Sequence, residues 1–325
     1  MSTSRTNLAA VPGITVGHTT IEPHGTGCTV VLAPEGGMRA AAHARGRATG
    51  TRELDVMNPR HLVERIDAIL LTGGSALGLG AADGVMHWLR ERRRGFPVRA
   101  DEVVPIVPAA VIFDLGNTGA APLWPGPADG ARACDAAGTS FAEGSVGVGA
   151  GATVGKAAGL AHAMKGGVGT WAARAGDIVV AALVVTNAVG DVRDAHGTII
   201  AGARDERGGF LDALAFLARG GSPFGAPPPA AVSTNTTLAV VATNARLDKI
   251  QLEALALAGS DALARCITPY GTLFDGDVVF AAATAEAPAA TPAQVESLAA
   301  GVVAEAVERA VRFAKGNPVT PGLAD

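Results

Sequence analysis

Short apolar runs of strand length alternate along this 325-residue chain with glycine-rich turns and alanine-rich helical stretches. In the first two thirds of the chain, Cys28–Leu32, Ile66–Leu71 and Ile178–Thr186 have the composition of β-strands. Apolar residues at helical spacing, followed by a basic last turn, predict a helix over Ser75–Arg94. A polar stretch at Arg204–Phe224 is also predicted to be helical. Strands interspersed with helices indicate α/β packing around a common core.

The pattern restarts after three consecutive prolines in Ala226–Ala230, which force extended backbone and predict an exposed connection. Thr237–Ala242 is continuously apolar, as expected of a strand buried within a sheet. We therefore expect this part to complete a sheet shared with the first part, in a single domain over residues 1–325, rather than to form a small separate domain. Its other predicted elements are a helix at Asp248–Arg265, a strand at Val278–Ala283 and a helix at Pro292–Ala314.

The charge balance and the lengths of the apolar segments limit the possible partners. Lys+Arg 26 against Asp+Glu 30 gives a net charge of −4, which provides no electrostatic footprint for nucleic acid. No N-terminal run has the length of a signal peptide, and Ile178–Val185 is far shorter than the about 20 residues of a membrane helix. Cys28, Cys134 and Cys266 lie far apart, unlike a disulfide framework or zinc site. We expect a cytoplasmic protein with neither nucleic-acid nor membrane partners.

The glycine-rich motifs match known binding and catalytic patterns only in part. Gly73–Asp83 links a strand to a helix but lacks the Gly-Lys-Ser/Thr ending of a phosphate-binding loop. Gly147–Ala152 fits the pattern G-x-G-x-x-A, but no apolar strand precedes it and no acidic residue follows about twenty positions later. Ser75 lacks the final glycine of a Gly-x-Ser-x-Gly elbow. The seven histidines show no i,i+4 pairing that would build a metal site.

The junction between the proline-rich connection and the apolar strand, Asn235-Thr236, allows two interpretations. It is an ordinary loop-to-strand junction with hydroxyl residues, or it is a site of self-cleavage. In the second interpretation the Thr236 hydroxyl attacks the Asn235 carbonyl, the amide becomes an ester, and water releases a new N-terminus. The freed α-amino group has a reference pKa of ~7.7–8.0, so it is a suitable base for the hydroxyl of the same residue.

Seven short blocks of sequence occur here in an order that is far more specific than any single motif. They are Pro12–His18, Leu71–Leu79, Pro105–Leu115, Val148–Lys156, Val185–Asn187, Asn235–Leu238 and Phe274–Asp277. On these blocks, nearly from end to end, the chain resembles the DmpA-like family of L-aminopeptidase D-amidase/esterases. That family consists of self-processing N-terminal-nucleophile hydrolases and includes β-aminopeptidases and a nylon-oligomer hydrolase.

The resemblance implies a four-layer αββα sandwich of the α/β class, and one hydrolase domain that cleaves itself into Met1–Asn235 and Thr236–Asp325. It implies aminopeptidase-type hydrolysis of a small peptide or amide substrate through an acyl-enzyme on an N-terminal threonine. No metal or organic cofactor is implied. Family members assemble as homo-oligomers, commonly tetramers, of the αβ heterodimer.

Roles for individual residues also follow from the resemblance. Thr236 is the expected nucleophile, and Asn235 is the residue whose peptide bond is cut. The amide NH₂ of Asn187, at the end of a predicted strand, would donate a hydrogen bond to the developing oxyanion. Lys156, after a glycine-rich run, would bring a cation close to the reacting group.

Two acidic residues and one departure from the family pattern complete the expected site. Asp275 and Asp277 flank one glycine and form a turn by composition alone. By resemblance to the nylon-oligomer hydrolase they belong to the catalytic cluster, where they would anchor the threonine ammonium. The family often has tyrosine where this chain has Phe113. Since phenylalanine cannot donate a hydrogen bond, either Asn187 and backbone N–H groups suffice or the substrate preference differs.

Two other functions stay open at this point. An acyltransferase like ornithine acetyltransferase also cleaves itself before threonine but passes the acyl group to an amine. A non-catalytic protein that binds a small ligand or nucleotide would keep its chain intact. The sequence also leaves open whether the substrates are L-, D- or β-amino acid amides or nylon-type amides.

Overall fold

The computed structural model describes residues 6–23, 25–117, 119, 121–222, 235–285, 287 and 290–325. The five α-helices in these ranges are α1 (Ala81–Glu91), α2 (Pro127–Asp135), α3 (Ala213–Ala218), α4 (Lys249–Cys266) and α5 (Pro292–Arg312). Short 3₁₀ turns lie at Leu8–Ala10, Asp55–Met57, Ser75–Gly80, Gly147–Gly151 and Leu160–His162. The strands are β1 (Thr15–Ile21), β2 (Thr26–Leu32), β3 (Arg39–Ala44), β4 (Thr51–Arg52), β5 (Ala68–Thr72), β6 (Phe96–Arg99), β7 (Glu102–Val104), β8 (Ala109–Val111), β9 (Thr153–Val154), β10 (Met164–Lys165), β11 (Val168–Ala175), β12 (Ile178–Asn187), β13 (Asp191–Arg193), β14 (Ile199–Ala201), β15 (Thr236–Thr243), β16 (Ile267–Thr268) and β17 (Val278–Ala283).

Two five-stranded sheets carry the fold, and their strands are paired in the same pattern. The first sheet has the order β1-β2-β5-β8-β4, and the second has the order β11-β12-β15-β17-β3. In each sheet only the third and fourth strands are parallel, and the other pairs are antiparallel. Parallel neighbours need a crossover connection, and it contains α1 in the first sheet and α4 in the second. Three smaller sheets pair β6 with β7, β9 with β10, and β13 with β14 and β16.

The two large sheets pack face to face, with helices on both outer faces. Strand β12 shows the arrangement, because its side chains alternate between two clusters. Val179 and Leu183 point into the central cluster between the sheets, whereas Val180 and Val184 pack with apolar residues of α4 and α5. On the other side of the molecule, α1 and α2 cover the first sheet. The layers are helix, sheet, sheet, helix, so the expected αββα sandwich is confirmed.

The five strands predicted from the sequence overlap β2, β5, β12, β15 and β17, whereas two helical predictions need correction. The helix predicted over Ser75–Arg94 begins only at Ala81, because Gly74 and Ser75 both have positive φ and the next residues form a 3₁₀ turn. In Arg204–Phe224, only α3 is helical among the described residues. An aspartate turn at Asp205, which accepts the N–H groups of residues 207 and 209, precedes it. The proline-rich Ala226–Ala230 lies outside the described residues.

Cys28, Cys134 and Cys266 are buried and free of disulfide bonds. No helix within the described ranges has an apolar stretch long enough to cross a bilayer. In the same ranges, no group of three or more His, Cys, Asp or Glu side chains is arranged to hold a metal ion.

Phe280 offers a test of the packing between the sheets. This side chain on β17 is fully buried in the central cluster. Phe280→Ala should lower the free energy of unfolding by about 3–5 kcal/mol, because it removes a large apolar side chain and leaves a cavity. Phe313→Ala, at a half-exposed aromatic ring after α5, is the control and should cost much less. Urea unfolding followed by circular dichroism measures both, and equal losses would contradict the layer arrangement.

Candidate active site

Strand pairing in the second sheet brings the candidate residues to one edge. Thr236 is the first residue of β15, and the antiparallel register pairs it with Asn187, the last residue of β12. On the other side, β15 runs parallel to β17, with Leu238 opposite Val278, so that Asp277 lies beside Thr237. The register therefore places these residues together, although they are up to 90 positions apart between Asn187 and Asp277.

The carbonyl group of Asn235 is held on two sides. Thr236 Oγ1 donates a hydrogen bond to Asn235 O at 2.5 Å, within the peptide link between the two residues. The backbone N–H of Gly276 donates to the same oxygen at 3.0 Å. This second contact belongs to a parallel bridge between Asn235 and Asp275, which extends the β15–β17 ladder. A hydroxyl group and a backbone N–H donor thus meet at one carbonyl group.

The side chains of the two acidic residues accept hydrogen bonds from nearby backbone N–H groups. Asp277 accepts the N–H of Thr237 at 2.5 Å and the N–H of Gly271 at 3.0 Å. Asp275 accepts the N–H of Thr272 at 2.8 Å, so that Asp-Gly-Asp is part of a turn and also faces the cluster. Burial and the charge of Asp275 raise the pKa of Asp277 well above its usual value, and burial raises the pKa of Asp275.

Lys156 and Asn187 form the other half of the cluster. The Lys156 ammonium donates to the backbone oxygen of Asn187 at 3.0 Å and to its side-chain Oδ1 at 2.8 Å. Oδ1 also accepts the N–H of Thr153, and Nδ2 donates to the backbone oxygen of Phe113 at 3.1 Å. Burial lowers the pKa of Lys156 to about 7, although neighbouring carboxylates oppose the shift. The Asn187 amide is thus fixed in orientation, and its donation to an oxyanion stays a prediction.

The structure adds two charged residues that the sequence did not single out. Asp114 and Lys165 are buried beside this cluster. Burial raises the pKa of Asp114 to about 6 and lowers the pKa of Lys165 to about 7. Asp114 lies inside the block Pro105–Leu115 that carried the resemblance, which was the one available signal. Gly276 lies in another of these blocks, Phe274–Asp277, whereas Lys165 belongs to no pattern that points to it.

The loop between β3 and β4 covers the cluster. Arg45 and Gly46 donate their N–H groups to the backbone oxygen of Asp277, and Ala48 donates to that of Asp275. Thr236 is consequently only 4% exposed. The Asn235–Thr236 peptide bond thus lies in the protein interior.

Comparison with known proteins identifies the family of the chain. The model of peptidase family S58 matches residues 6–317 of the chain. The chain belongs to peptidase family S58. Uncharacterized aminopeptidases of Mycobacterium tuberculosis and Mycobacterium bovis are 43% identical over 296 residues, which cover 86% of this chain and 81% of theirs. A 6-aminohexanoate-oligomer endohydrolase of Agromyces is 32% identical over 287 residues, with 85% and 74% of the two chains covered.

Solved structures of other aminopeptidases share the fold. The L-aminopeptidase D-Ala-esterase/amidase of Ochrobactrum anthropi, described as a variant of the Ntn hydrolase fold, gives a TM-score of 0.72 at 20% identity. That match covers 100% of this chain and 93% of the other. A β-aminopeptidase of Burkholderia gives a TM-score of 0.66 at 24% identity, covering 95% and 87%. The predicted family and fold are confirmed. This S58 member is an enzyme, a hydrolase of peptide or amide bonds.

Gly276→Ala tests the close packing of the site. A Cβ atom at this position would lie 2.8 Å from Thr236 Oγ1 and 2.7 Å from the backbone oxygen of Ala48. Because the loop backbone cannot yield cheaply, the substitution should displace the hydroxyl and lower hydrolytic activity by about 10²-fold or more. Gly301→Ala, on an open face of α5 with no atom within 4 Å of the added carbon, is the matched control and should retain activity. Full activity of Gly276→Ala on a chromogenic amide would exclude the described contact.

Proposed function

We propose that this chain cleaves itself between Asn235 and Thr236, and that the mature enzyme hydrolyses amide bonds with Thr236 as its N-terminal nucleophile. The observation that carries the proposal is the position of Thr236 Oγ1, 2.5 Å from the oxygen of the carbonyl group that it would attack. The Gly276 N–H, on the same oxygen at 3.0 Å, supports the assignment because it is aimed where negative charge would develop.

The self-cleavage would proceed in two stages. The Thr236 hydroxyl loses its proton to a base, and Oγ1 attacks the Asn235 carbonyl carbon to give a tetrahedral oxyanion. The oxyanion collapses, the C–N bond breaks, and the protonated base returns the proton to the Thr236 nitrogen, which leaves an ester. Water then adds to the ester carbonyl and releases the carboxylate of Asn235 and the hydroxyl of Thr236. The products are residues 1–235 and 236–325.

The base in this first reaction cannot be the α-amino group of Thr236, because that nitrogen is still part of the peptide bond. Lys156 is the group we assign to this role. Its lowered pKa of about 7 makes the neutral amine available near neutral pH, which is where a general base is most effective. Its ammonium form contacts Asn187, whose backbone pairs directly with Thr236. Asp277 is less suited, since its two carboxylate oxygens already accept the N–H groups of Thr237 and Gly271.

In the mature enzyme the new amine of Thr236 would take over as base for its own hydroxyl. The hydroxyl attacks the substrate carbonyl, and the Thr236 amine accepts its proton. The proton passes to the amine of the substrate as this leaving group departs, and water then hydrolyses the acyl-enzyme. Asn187 supplies an amide donor fixed by Lys156, and Asp277 holds the backbone of Thr237 beside the nucleophile. The Gly276 N–H is a backbone donor that supports one explanation for Phe113, namely that the site does not need a tyrosine hydroxyl.

The substrate class we propose is a small peptide or amide with a free amino end, and the reaction is of the aminopeptidase type. Two supports are the names of the 43% identical mycobacterial relatives and of the Ochrobactrum anthropi neighbour. The endohydrolase relatives at 32% identity also act on amides. None of these relatives is named as an acyltransferase or as a non-catalytic binding protein, so neither alternative gains support from them.

We further propose that αβ heterodimers associate into a homo-oligomer, with a tetramer as the expected form. Ile250 and Leu257 lie two turns apart on α4 and are exposed, and Leu62 is 81% exposed. Leu62 is next to Val63, whose carbonyl accepts a hydrogen bond from Lys249 at the start of the same helix. An exposed apolar cluster of this kind supports association.

The free, buried cysteines support a reducing compartment, the cytoplasm.

Intact mass measurement tests the cleavage directly. Purified wild-type protein should give two fragments, and the smaller one should begin with Thr-Thr-Leu-Ala. Thr236→Ala should remain one chain and be inactive, because it has no hydroxyl. Thr236→Ser keeps a hydroxyl at the same atom and is the control that should still be cleaved. Cleavage at another bond, or an active Thr236→Ala protein, would refute the assignment.

The pH dependence of self-cleavage tests the role of Lys156. The lysine acts as base only when neutral, so the cleavage rate should be low at acidic pH and rise with a midpoint near its pKa of about 7. Pulse-labelled protein from cell-free synthesis, diluted into buffers of different pH, gives the rates by gel electrophoresis. Lys156→Met should abolish the pH-dependent rise. An unchanged profile in that variant would exclude Lys156 as the base.

A further inference from the structure

Asp114 and Lys165 are two buried charged residues that take no part in the steps above. Asp114 is 3% exposed and Lys165 is 2% exposed. Burying a charged group is costly unless the group is paired or hydrogen-bonded. Both residues are held by specific contacts next to the cluster that contains Lys156, which raises the question of what they contribute to it.

The Asp114 carboxylate lies in a cradle built for it. Its Oδ1 accepts the N–H of Gly74 at 2.7 Å, and its Oδ2 accepts the hydroxyl of Thr26 at 2.7 Å. A Cβ atom on Gly73 would lie 2.4 Å from Oδ2, and one on Gly151 would lie 2.3 Å from it. The carboxylate therefore fits only because glycine stands at both positions, so the partial nucleotide-binding motifs have a packing role here.

The Lys165 ammonium lies on the other side of the same glycine-rich turn. It donates to the backbone oxygens of Gly149 and Ala152, at 3.1 Å and 3.0 Å. The turn Gly147–Gly151 thus contacts the carboxylate of Asp114 through Gly151 and the ammonium through its carbonyl groups. The two charges face each other closely enough for Lys165 to lower, and Asp114 to raise, the pKa of the other group.

Both charges also reach Lys156. The turn continues into Thr153, whose N–H shares the Asn187 Oδ1 acceptor with the Lys156 ammonium. The Asn187 amide in turn donates to the carbonyl of the residue before Asp114. The charge of Asp114 favours the ammonium form of Lys156, whereas the charge of Lys165 disfavours it. The other charged groups that face Lys156 are Asp275 and Asp277.

We propose that Asp114 and Lys165 are positioning residues whose opposite charges set the protonation state of Lys156, and thereby the pH at which the precursor cleaves itself. This rests on the proposed self-cleavage at Asn235-Thr236 with Lys156 as base. Neither residue touches the reacting atoms, and each acts on the lysine through the field of its charge.

The two charges have opposite signs, so their removal should move the cleavage profile in opposite directions. Asp114→Asn removes a negative charge, lowers the pKa of Lys156, and should shift the midpoint of cleavage down by about one pH unit. Lys165→Met removes a positive charge and should shift the midpoint up by a similar amount. The double variant keeps the local charge balance, and its midpoint should return close to that of the wild type.

Asp114→Asn is a mild substitution in structural terms. The asparagine oxygen can accept the N–H of Gly74, and its NH₂ can donate to the Thr26 hydroxyl, which then serves as acceptor. In Lys165→Met the apolar stem fills the space of the lysine side chain. A purely structural role for either residue would lower the rate at every pH without moving the midpoint.

The experiment measures the rate of precursor cleavage between pH 5 and 9 for the wild type, both single variants and the double variant, with pulse-labelled full-length chain. Matched controls are Asp67→Asn and Lys249→Met. Asp67 is a buried carboxylate that precedes β5, at the far end from Gly73. Lys249 is buried with its ammonium on carbonyl groups, like Lys165, but follows the far end of β15. Both controls should keep the wild-type midpoint.

Opposite shifts of the single variants, with a near-normal double variant, support the proposal. Midpoints equal to that of the wild type, or shifts in the same direction, overturn it even when the rates fall. If one single variant does not fold by circular dichroism, the other must still show its predicted direction, and its failure to do so overturns the proposal. A wild-type chain that is cut elsewhere or remains intact refutes the proposed function itself, which separates the two failures.

Discussion

The hydrogen-bond register of β15 is the constraint on which the site depends. This strand is paired antiparallel with β12 and parallel with β17. Its first residue, Thr236, therefore lies beside the last residue of β12 and near the residues that precede β17. The bond from the Gly276 N–H to the Asn235 oxygen continues the β15–β17 ladder beyond the regular strand. A slip of one residue would exchange the two faces of β15. It would also separate Thr236 from Asn187 and the Asn235 carbonyl from the Gly276 N–H. The geometry at the proposed cleavage site is thus part of the sheet itself.

The second property of the site is its interior charge. Five charged residues are buried here, namely Lys156, Lys165, Asp114, Asp275 and Asp277. Most of the hydrogen bonds described above for these side chains are to the backbone. Such burial disfavours ionisation, which is why the pKa of each lysine is lowered and that of each carboxyl group is raised. Buried charges lower the stability of the fold. Proteins keep them at sites where a group must gain and lose a proton near neutral pH, as we propose for Lys156.

The sequence predicts the sheets better than the site. Continuously apolar runs mark buried strands, and the strand expected at Val278–Ala283 has the observed limits. The helix expected from Ser75 starts later, because the positive φ of Gly74 and Ser75 is a backbone property that apolar spacing does not reveal. Family resemblance, rather than spacing, led to Thr236 and its neighbours. The places of Asp114 and Lys165 depend on glycines distant in the chain, and such contacts exist only in the folded protein.

Strand order has a consequence for how the proposed two-chain enzyme unfolds. In the second sheet, β15 and β17 come from residues after the cut, and they lie between β12 and β3, which come from residues before it. Neither piece alone contains all the strands of this second sheet. Cutting one peptide bond therefore turns a folding reaction of first order into one of second order, and removes the effective concentration that the covalent link had supplied. Renaturation after full denaturation then depends on the concentrations of both pieces. Where refolding is slow for this reason, the lifetime of the native enzyme is set by its rate of unfolding.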